Sequence, residues 1–230
     1  MPQNKHNNTN NNQEVYSNRF SSNIWGNVLL LSGGIILFFA GVILYGIIIN
    51  IREVPLKEQM KLKGIKSINS PNIVIDRYNY SLSIYDDTLF VKSYRAVFGQ
   101  NIKMAKTKKG DLATPVGVYK ICAIDTLNKY HKFFRLNYPN LSDAMSGLRK
   151  GIINQQQFDQ LKYEFYYDDC SHLKTNLGGN IGIHGIGELN FIFKNLPFVF
   201  NWTDGSIAIS DEDIDELYTV IKKGTKVVIK

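Results

Sequence analysis

Two short stretches of this sequence hold residue types that do chemistry. The first is "IGIHGIG", in which His184 is followed by Gly185. Histidine is the side chain whose ordinary pKa lets it trade a proton near neutrality. A histidine at the end of an apolar, glycine-rich run has to be hydrogen-bonded or used. The second stretch is "WTDGSIAIS", in which Thr203, Asp204 and Gly205 lead into Ser206. Asp-Gly makes a tight turn with easy access to positive φ. Successive N–H groups in such a turn can point into one concavity and hold an oxyanion. A nucleophile on that turn would add its own amide to the hole. Taken singly, each stretch also has a plain structural reading: a satisfied core histidine, and a hairpin turn that happens to contain serine. Taken together, a histidine 22 residues before a serine on a tight turn makes a more specific signal than either stretch alone.

The flanking pattern supplies elements to position such a pair. "NIVIDR", "YSLSIYDD" and "TLFVKSYRAVFG" alternate apolar and polar residues between turn signals and predict a β-meander. After the Gly/Pro-punctuated "KKGDLATPVGVYKICAI", a strand is predicted from Gly117 to Ile124. "LSDAMSGLRKG" and "NQQQFDQLKYEF" read as helices, with Ser142 and Asp143 placed to cap the first. "GGNIGIHGIG" reads as a buried strand whose glycines allow another backbone to come close. Ser210 caps a final helix, with Asp213 as its capping-box acid and Leu217, Val220 and Ile221 on its apolar face. Gly224 ends that helix, and "TKVVIK" is the last strand. The predicted fold class is mainly β with a few helices.

Towards the N-terminus the composition changes. Residues 1–22 are Asn-rich and nearly free of apolar side chains, and are predicted to be a disordered tail. Residues 24–50 contain an uncharged run, Val28 to Ile49, long enough at about 1.5 Å per residue to cross a hydrocarbon core of roughly 30 Å. The exit lacks small residues at a cleavage site, which favours an uncleaved single-pass anchor over a signal peptide. Residues 51–70 form a Lys-rich linker with some helical character, and residues 71–230 the soluble domain. Lys5 and Arg19 flank the apolar run on one side; Arg52, Lys57, Lys61, Lys63 and Lys66 flank it on the other. Positive charge alone would keep the domain in the cytoplasm, although large domains are translocated despite such flanks.

The net charge of +7 suits an anionic polymer or membrane face. No basic stripe interleaved with aromatics is present, so nucleic acid is not an expected partner. Four histidines and two cysteines lack the spacing of a zinc site, and no metal is expected. Cys122 and Cys170 read equally as core residues or, in an oxidising compartment, as a pair. Cys170, 14 residues before His184, is also a remote candidate for a nucleophile.

Beyond these readings, the sequence resembles the L,D-transpeptidases, the YkuD-like catalytic domains, over Asn72 to Lys230. The resemblance rests on "ATPVGVYKI" with Thr114, Pro115 and Gly117; on "LNYPNLSDA" with Tyr138, Pro139 and Asn140; on "GGNIGIHG"; and on "TDGSIAIS" followed by a helix and G-T-x-V-x-I. Within the family the chain is most similar to a murein-transpeptidase branch with a "TDGCIA" core. The resemblance implies a β-sandwich or barrel and an acyl transfer on peptidoglycan stem peptides, with no cofactor. It implies His184 as general base and Gly185 as the carbonyl that orients it. The turn amides of Asp204, Gly205 and position 206 would hold the oxyanion, with Thr203, Tyr138 and Thr114 lining the substrate cleft. It implies a domain outside the inner membrane of a bacterium. The family nucleophile is cysteine, and this chain has Ser206. Three readings stay open: a working serine enzyme, a transpeptidase or peptide hydrolase; a disabled domain kept as a wall-binding or scaffolding module; and a serine introduced in place of cysteine.

Overall fold

A computed structural model of the chain describes residues 10–50, 53–167, 170–196 and 198–230. Helix α1 runs from Asn10 to Asn50 without a break. It contains the apolar stretch Ile24–Ile49, whose mean hydropathy of 2.5 and length suffice for a membrane crossing. The helix reaches back into the segment expected to be a disordered tail, so residues 10–22 are helical; residues 1–9 of that tail lie outside the described residues. Adding residues to an existing helix gains a hydrogen bond each without a new nucleus. That lets a polar, Asn-rich stretch continue a helix it would not start.

The expected linker is also largely structured. Helix α2, Leu56–Leu62, follows at once, and Leu56 is buried in the main core, with Met60, Ile65 and Ile68 packed against it. This helix therefore packs on the core from outside the segment 71–230. With Leu56, Met60 and Leu62 spread over only seven residues, the window is too short for periodicity to show.

Among the described residues, eight strands, numbered in chain order, form one mixed sheet. The meander β1 (Pro71–Asp76), β2 (Ser81–Asp86) and β3 (Leu89–Arg95) is antiparallel. Strand β8 (Lys226–Ile229) inserts parallel to β1 and antiparallel to β4 (Gly117–Asn128). Beyond β4 lie β5 (His131–Leu136), β6 (Gly182–His184) and β7 (Ile207–Ala208). The two ends of the sheet meet again. Past the end of β3, Val97 exchanges two backbone hydrogen bonds of 2.9 Å with Ala208 of β7, and Gly99 bridges Thr203. The sheet thus curls towards a barrel, with Ile73, Ile84, Ile121, Phe134, Ile183, Ile207 and Val227 facing its interior. Closing the edges in this way satisfies backbone groups that an open edge would leave bare.

Between β5 and β6 the chain leaves the sheet as two helices, α3 (Leu141–Arg149) and α4 (Gln155–Tyr167). The cap of α3 is Asn140, in a reciprocal capping box with Asp143, where sequence had pointed to Ser142. Ala144, Ile153, Leu161 and Leu177 make a second, separate hydrophobic cluster here. Cys122 on β4 is disulfide-bonded to Cys170, just after α4, which removes Cys170 from consideration as a thiol nucleophile.

The disulfide closes a loop with a sequence separation of 48 residues. Constraining a loop of that size in the unfolded chain contributes about 2–5 kcal/mol. Urea unfolding of the protein with both cysteines replaced by alanine should show a stability loss of that order. An unchanged midpoint would mean that the helical excursion is held by packing alone.

Candidate active site

Strands β6 and β7 pair in parallel, Ile183 opposite Ile207 and His184 opposite Ala208. Ile183 and Ile207 are fully buried in the core. Side chains alternate across a strand, so His184 and Ser206 both project from the opposite face of the sheet. The register sets their Cα atoms roughly 8 Å apart on the diagonal. Gly182 makes this layer possible. A Cβ there would lie 2.6 Å from both the Phe133 ring and the Phe134 carbonyl of β5.

His184 is 2% exposed. Its ring stacks on Tyr130 at 4.5 Å and on Phe133 at 5.9 Å, with Trp202 edge-on at 5.7 Å. Nδ1 lies 2.6 Å from the carbonyl oxygen of Gly185. A carbonyl can only accept, so Nδ1 carries the proton. Burial pushes the imidazole down to about 4. The Gly185 carbonyl opposes that shift, and the Lys129 charge adds to it. At neutral pH the ring is therefore uncharged, with its lone pair on Nε2, which is the protonation state of a general base.

The Gly185 carbonyl is itself held in place. Asp211, the first residue of helix α6 (Asp211–Tyr218), accepts the N–H groups of Ile186 at 2.8 Å and Gly187 at 2.9 Å through one oxygen. The same oxygen would sit 2.4 Å from a Cβ on Gly185, so only glycine fits between carboxylate and imidazole. The cap of α6 is Ser210, as the sequence predicted, through its hydroxyl and the amide of Asp213. The helix ends at Tyr218, short of the predicted stop at Gly224.

The turn that carries Ser206 is pinned from inside. Thr203 donates to the Ser206 carbonyl at 2.6 Å and accepts from the Gly205 amide at 3.2 Å. Gly205 sits at φ +126°, where a Cβ would meet the Ala113 carbonyl at 2.6 Å. Of the three amides expected to form an oxyanion hole, that of Gly205 is thus already spent on the threonine. Asp204 is exposed and Ser206 half-buried. The Ser206 hydroxyl accepts from the Gly182 amide at 3.3 Å.

All three residues expected along the cleft, Thr203, Tyr138 and Thr114, are buried. Tyr138 is 2% exposed, meets Tyr119 edge-on and donates its hydroxyl proton to the Leu177 carbonyl at 3.0 Å. Thr114 is buried and accepts from the Gly99 amide at 3.0 Å. Since Gly99 bridges Thr203, Thr114 braces the Ser206 turn from behind. The sequence did not single out Tyr130, Phe133, Trp202 or Asp211. Trp202 stood next to the turn as the one visible hint; its indole N–H is buried without a partner. Tyr130, Ile186, Phe193 and Trp202 line a concavity of about 300 Å³ beside the aromatic box. Among the described residues, no group of three or more His, Cys, Asp or Glu side chains is placed to hold a metal.

The model of the YkuD L,D-transpeptidase catalytic domain matches residues 70–229. The chain belongs to this family. Among solved structures it is similar to Pgp2, the helical cell shape determining protein of Campylobacter jejuni, at 19% identity over 76% of this chain and 55% of that one, with a TM-score of 0.46. It is also similar to Bd1075 of Bdellovibrio bacteriovorus, at 20% identity, 71% and 48% coverage and a TM-score of 0.43. A cysteine-to-serine mutant of an Enterococcus faecium L,D-transpeptidase matches at 15% identity, 71% and 50% coverage and a TM-score of 0.37. The chain spans about half the length of these structures. No curated protein matches the chain.

Two measurements probe this geometry. The neutral imidazole stabilises the fold fully above pH 6.5, its ordinary value, and the contribution is lost as pH falls from 6.5 to about 4. It amounts to about 3 kcal/mol across that window. Asp143 and Asp213, raised to about 6 by burial, titrate with the opposite sign in an overlapping range. The histidine term is therefore read as the difference between the protein and His184→Gln, and equal slopes would contradict the buried neutral ring. Secondly, Asp211→Ala leaves two amides without their acceptor and should cost about 1–3 kcal/mol, with a shifted His184 titration by NMR. Asp211→Asn, which keeps an acceptor oxygen, should recover most of both; an alanine variant with an unmoved titration would show that the carboxylate does not hold the base.

Proposed function

We propose that this chain acts on peptidoglycan stem peptides as an L,D-transpeptidase-family protein of the "TDG[C/S]IA" branch, anchored in the membrane by α1, with position 206 as the acyl acceptor. The observation that carries this reading is the neutral His184 with Nδ1 committed to Gly185 and Nε2 available, on the same sheet face as Ser206. In the proposed step the Ser206 oxygen attacks the amide carbon after the third stem residue while His184 Nε2 takes the hydroxyl proton. The amides of Asp204 and Ser206 hold the oxyanion, with Gly205 kept for the turn. Collapse breaks the C–N bond, and the proton on Nε2 goes to the departing D-amino acid. An acceptor amine, or water in a hydrolase, then attacks the ester.

The serine sets the difficulty of this reaction. A cysteine thiol with a pKa of about 8.5 is ionised by a nearby imidazole, whereas a hydroxyl must lose its proton during attack. His184 has a carbonyl behind it instead of a carboxylate, so the imidazolium formed during attack lacks a counter-charge. The Cys122–Cys170 disulfide supports an oxidising compartment, and hence a domain on the outer side of a bacterial inner membrane.

One observation favours a second reading, a wall-peptide binding module without turnover. The Ser206 hydroxyl accepts from the Gly182 amide, which orients its oxygen towards backbone. Incubating the full chain with a stem tetrapeptide separates the two. If Ser206 is the nucleophile, Ser206→Ala abolishes turnover, and Ser206→Cys raises acylation, seen as a mass increase on the protein. Absence of turnover in the unmodified chain, with acylation of Ser206→Cys, would assign the natural protein to binding. No acylation of Ser206→Cys would sink the transpeptidase reading of this cleft.

A further inference from the structure

The segment between His184 and the Ser206 turn carries a surface that catalysis does not explain. It holds a short helix, α5 (Asn190–Lys194), and reads "LNFIFKNLPFVF" from Leu189 to Phe200. Leu189, Phe191, Ile192, Phe198 and Phe200 are 46–60% exposed. A cluster of large apolar side chains of this kind on a soluble face marks a surface with an apolar partner.

Three observations indicate what covers it. The backbone of this segment touches α1: a Cβ on Gly46 would fall 1.7 Å from the Asn195 carbonyl oxygen. Gly46 lies three residues before Ile49, the end of the apolar stretch, hence about 4.5 Å inside it. A side chain that deep is at the boundary of headgroups and acyl chains. Next, the connection leaves little freedom. Leu56 is already in the domain core, so residues 50–55 are all that separate the span from the fold. Six residues reach at most about 20 Å. Lastly, three carbonyls of the segment are paired from within the protein. Arg95 donates to the carbonyls of Leu196, at 2.5 Å, and Phe198, and the Asn195 side chain donates to Phe191 at 2.6 Å. Internal pairing is what a poorly hydrated setting demands.

We infer that Leu189–Phe200 is a membrane-docking element, whose exposed phenylalanine and aliphatic side chains enter the outer-leaflet interface beside α1 and seat the active-site face on the bilayer. This rests on the membrane-anchored reading above. Phe193 of this segment packs on Trp202, which itself meets the His184 ring. The element therefore joins lipid contact to the catalytic layer.

The test uses the full chain reconstituted in vesicles of phosphatidylethanolamine and phosphatidylglycerol. A thiol-reactive, polarity-sensitive fluorophore is attached in Phe198→Cys, or in Leu127→Cys as a control on the β4–β5 hairpin, where the side chain is 95% exposed. The native cysteines are bonded to each other and do not compete. Quenching by spin-labelled lipid should be at least about threefold stronger at 198 than at 127, as expected for burial of a few ångströms below the headgroups. Phe200→Cys should repeat the result of 198. Alkaline carbonate extraction of the same vesicles separates the two ideas. Protein retained, with equal quenching at the three positions, overturns docking and leaves the anchor standing. Protein released by carbonate overturns the anchor and the docking together.

Discussion

One hydrogen bond orders the rest of the candidate site. The imidazole of His184 is buried, and a buried polar ring must find a partner for its N–H. The partner is the carbonyl of the next residue, which fixes the tautomer and leaves Nε2 basic. That carbonyl can point back at the ring only because Gly185 has no side chain and because Asp211 holds the two amides that follow. Asp211 in turn is placed by the start of α6, whose cap is Ser210. Helix, carboxylate, glycine and histidine thus form a relay of position, and the sheet contributes the final coordinate through the β6–β7 register.

The turn bearing Ser206 obeys a parallel logic with different parts. Its threonine serves both as donor and acceptor within four residues, so the backbone is rigid before any ligand arrives. Rigidity has a consequence for the hole that would receive an oxyanion. A donor used to hold the turn cannot also hold the substrate. The family's chemistry would then depend on fewer amides than the sequence suggested, in a site whose nucleophile is already the less acidic of the two alternatives.

Much of this was legible beforehand, and the pattern of success follows from physics. Strands β1 and β2 place alternate side chains in the core because each has one face inside and one outside. His184, Gly185 and the Thr203–Ser206 turn were visible because tight turns and close backbone approach restrict residue type. Strand β5 was not, since adjacent Phe133 and Phe134 are both buried, one against the histidine and one in the core; two faces needed at once erase the period. The aromatic box and Asp211 come from distant parts of the chain, and only the folded register brings them together. Tyr138 and Thr114 carry a further lesson: the motif marked them, but only the fold shows that both side chains are buried and hydrogen-bonded to backbone. In the N-terminal part, composition separated tail, span and linker more sharply than the backbone does, because helices can run through changes of composition.

The helical excursion between β5 and β6 has its own small core, and Gly147 lets Leu177 press close to α3. The disulfide crosses the base of this excursion from Cys122 to Cys170. The polypeptide there is a closed ring attached to the sheet at its neck. A protease that cut one bond anywhere along α3 or α4 would open the ring without separating its ends. The strands on either side would remain covalently one piece, and the break would become apparent only once the disulfide was reduced.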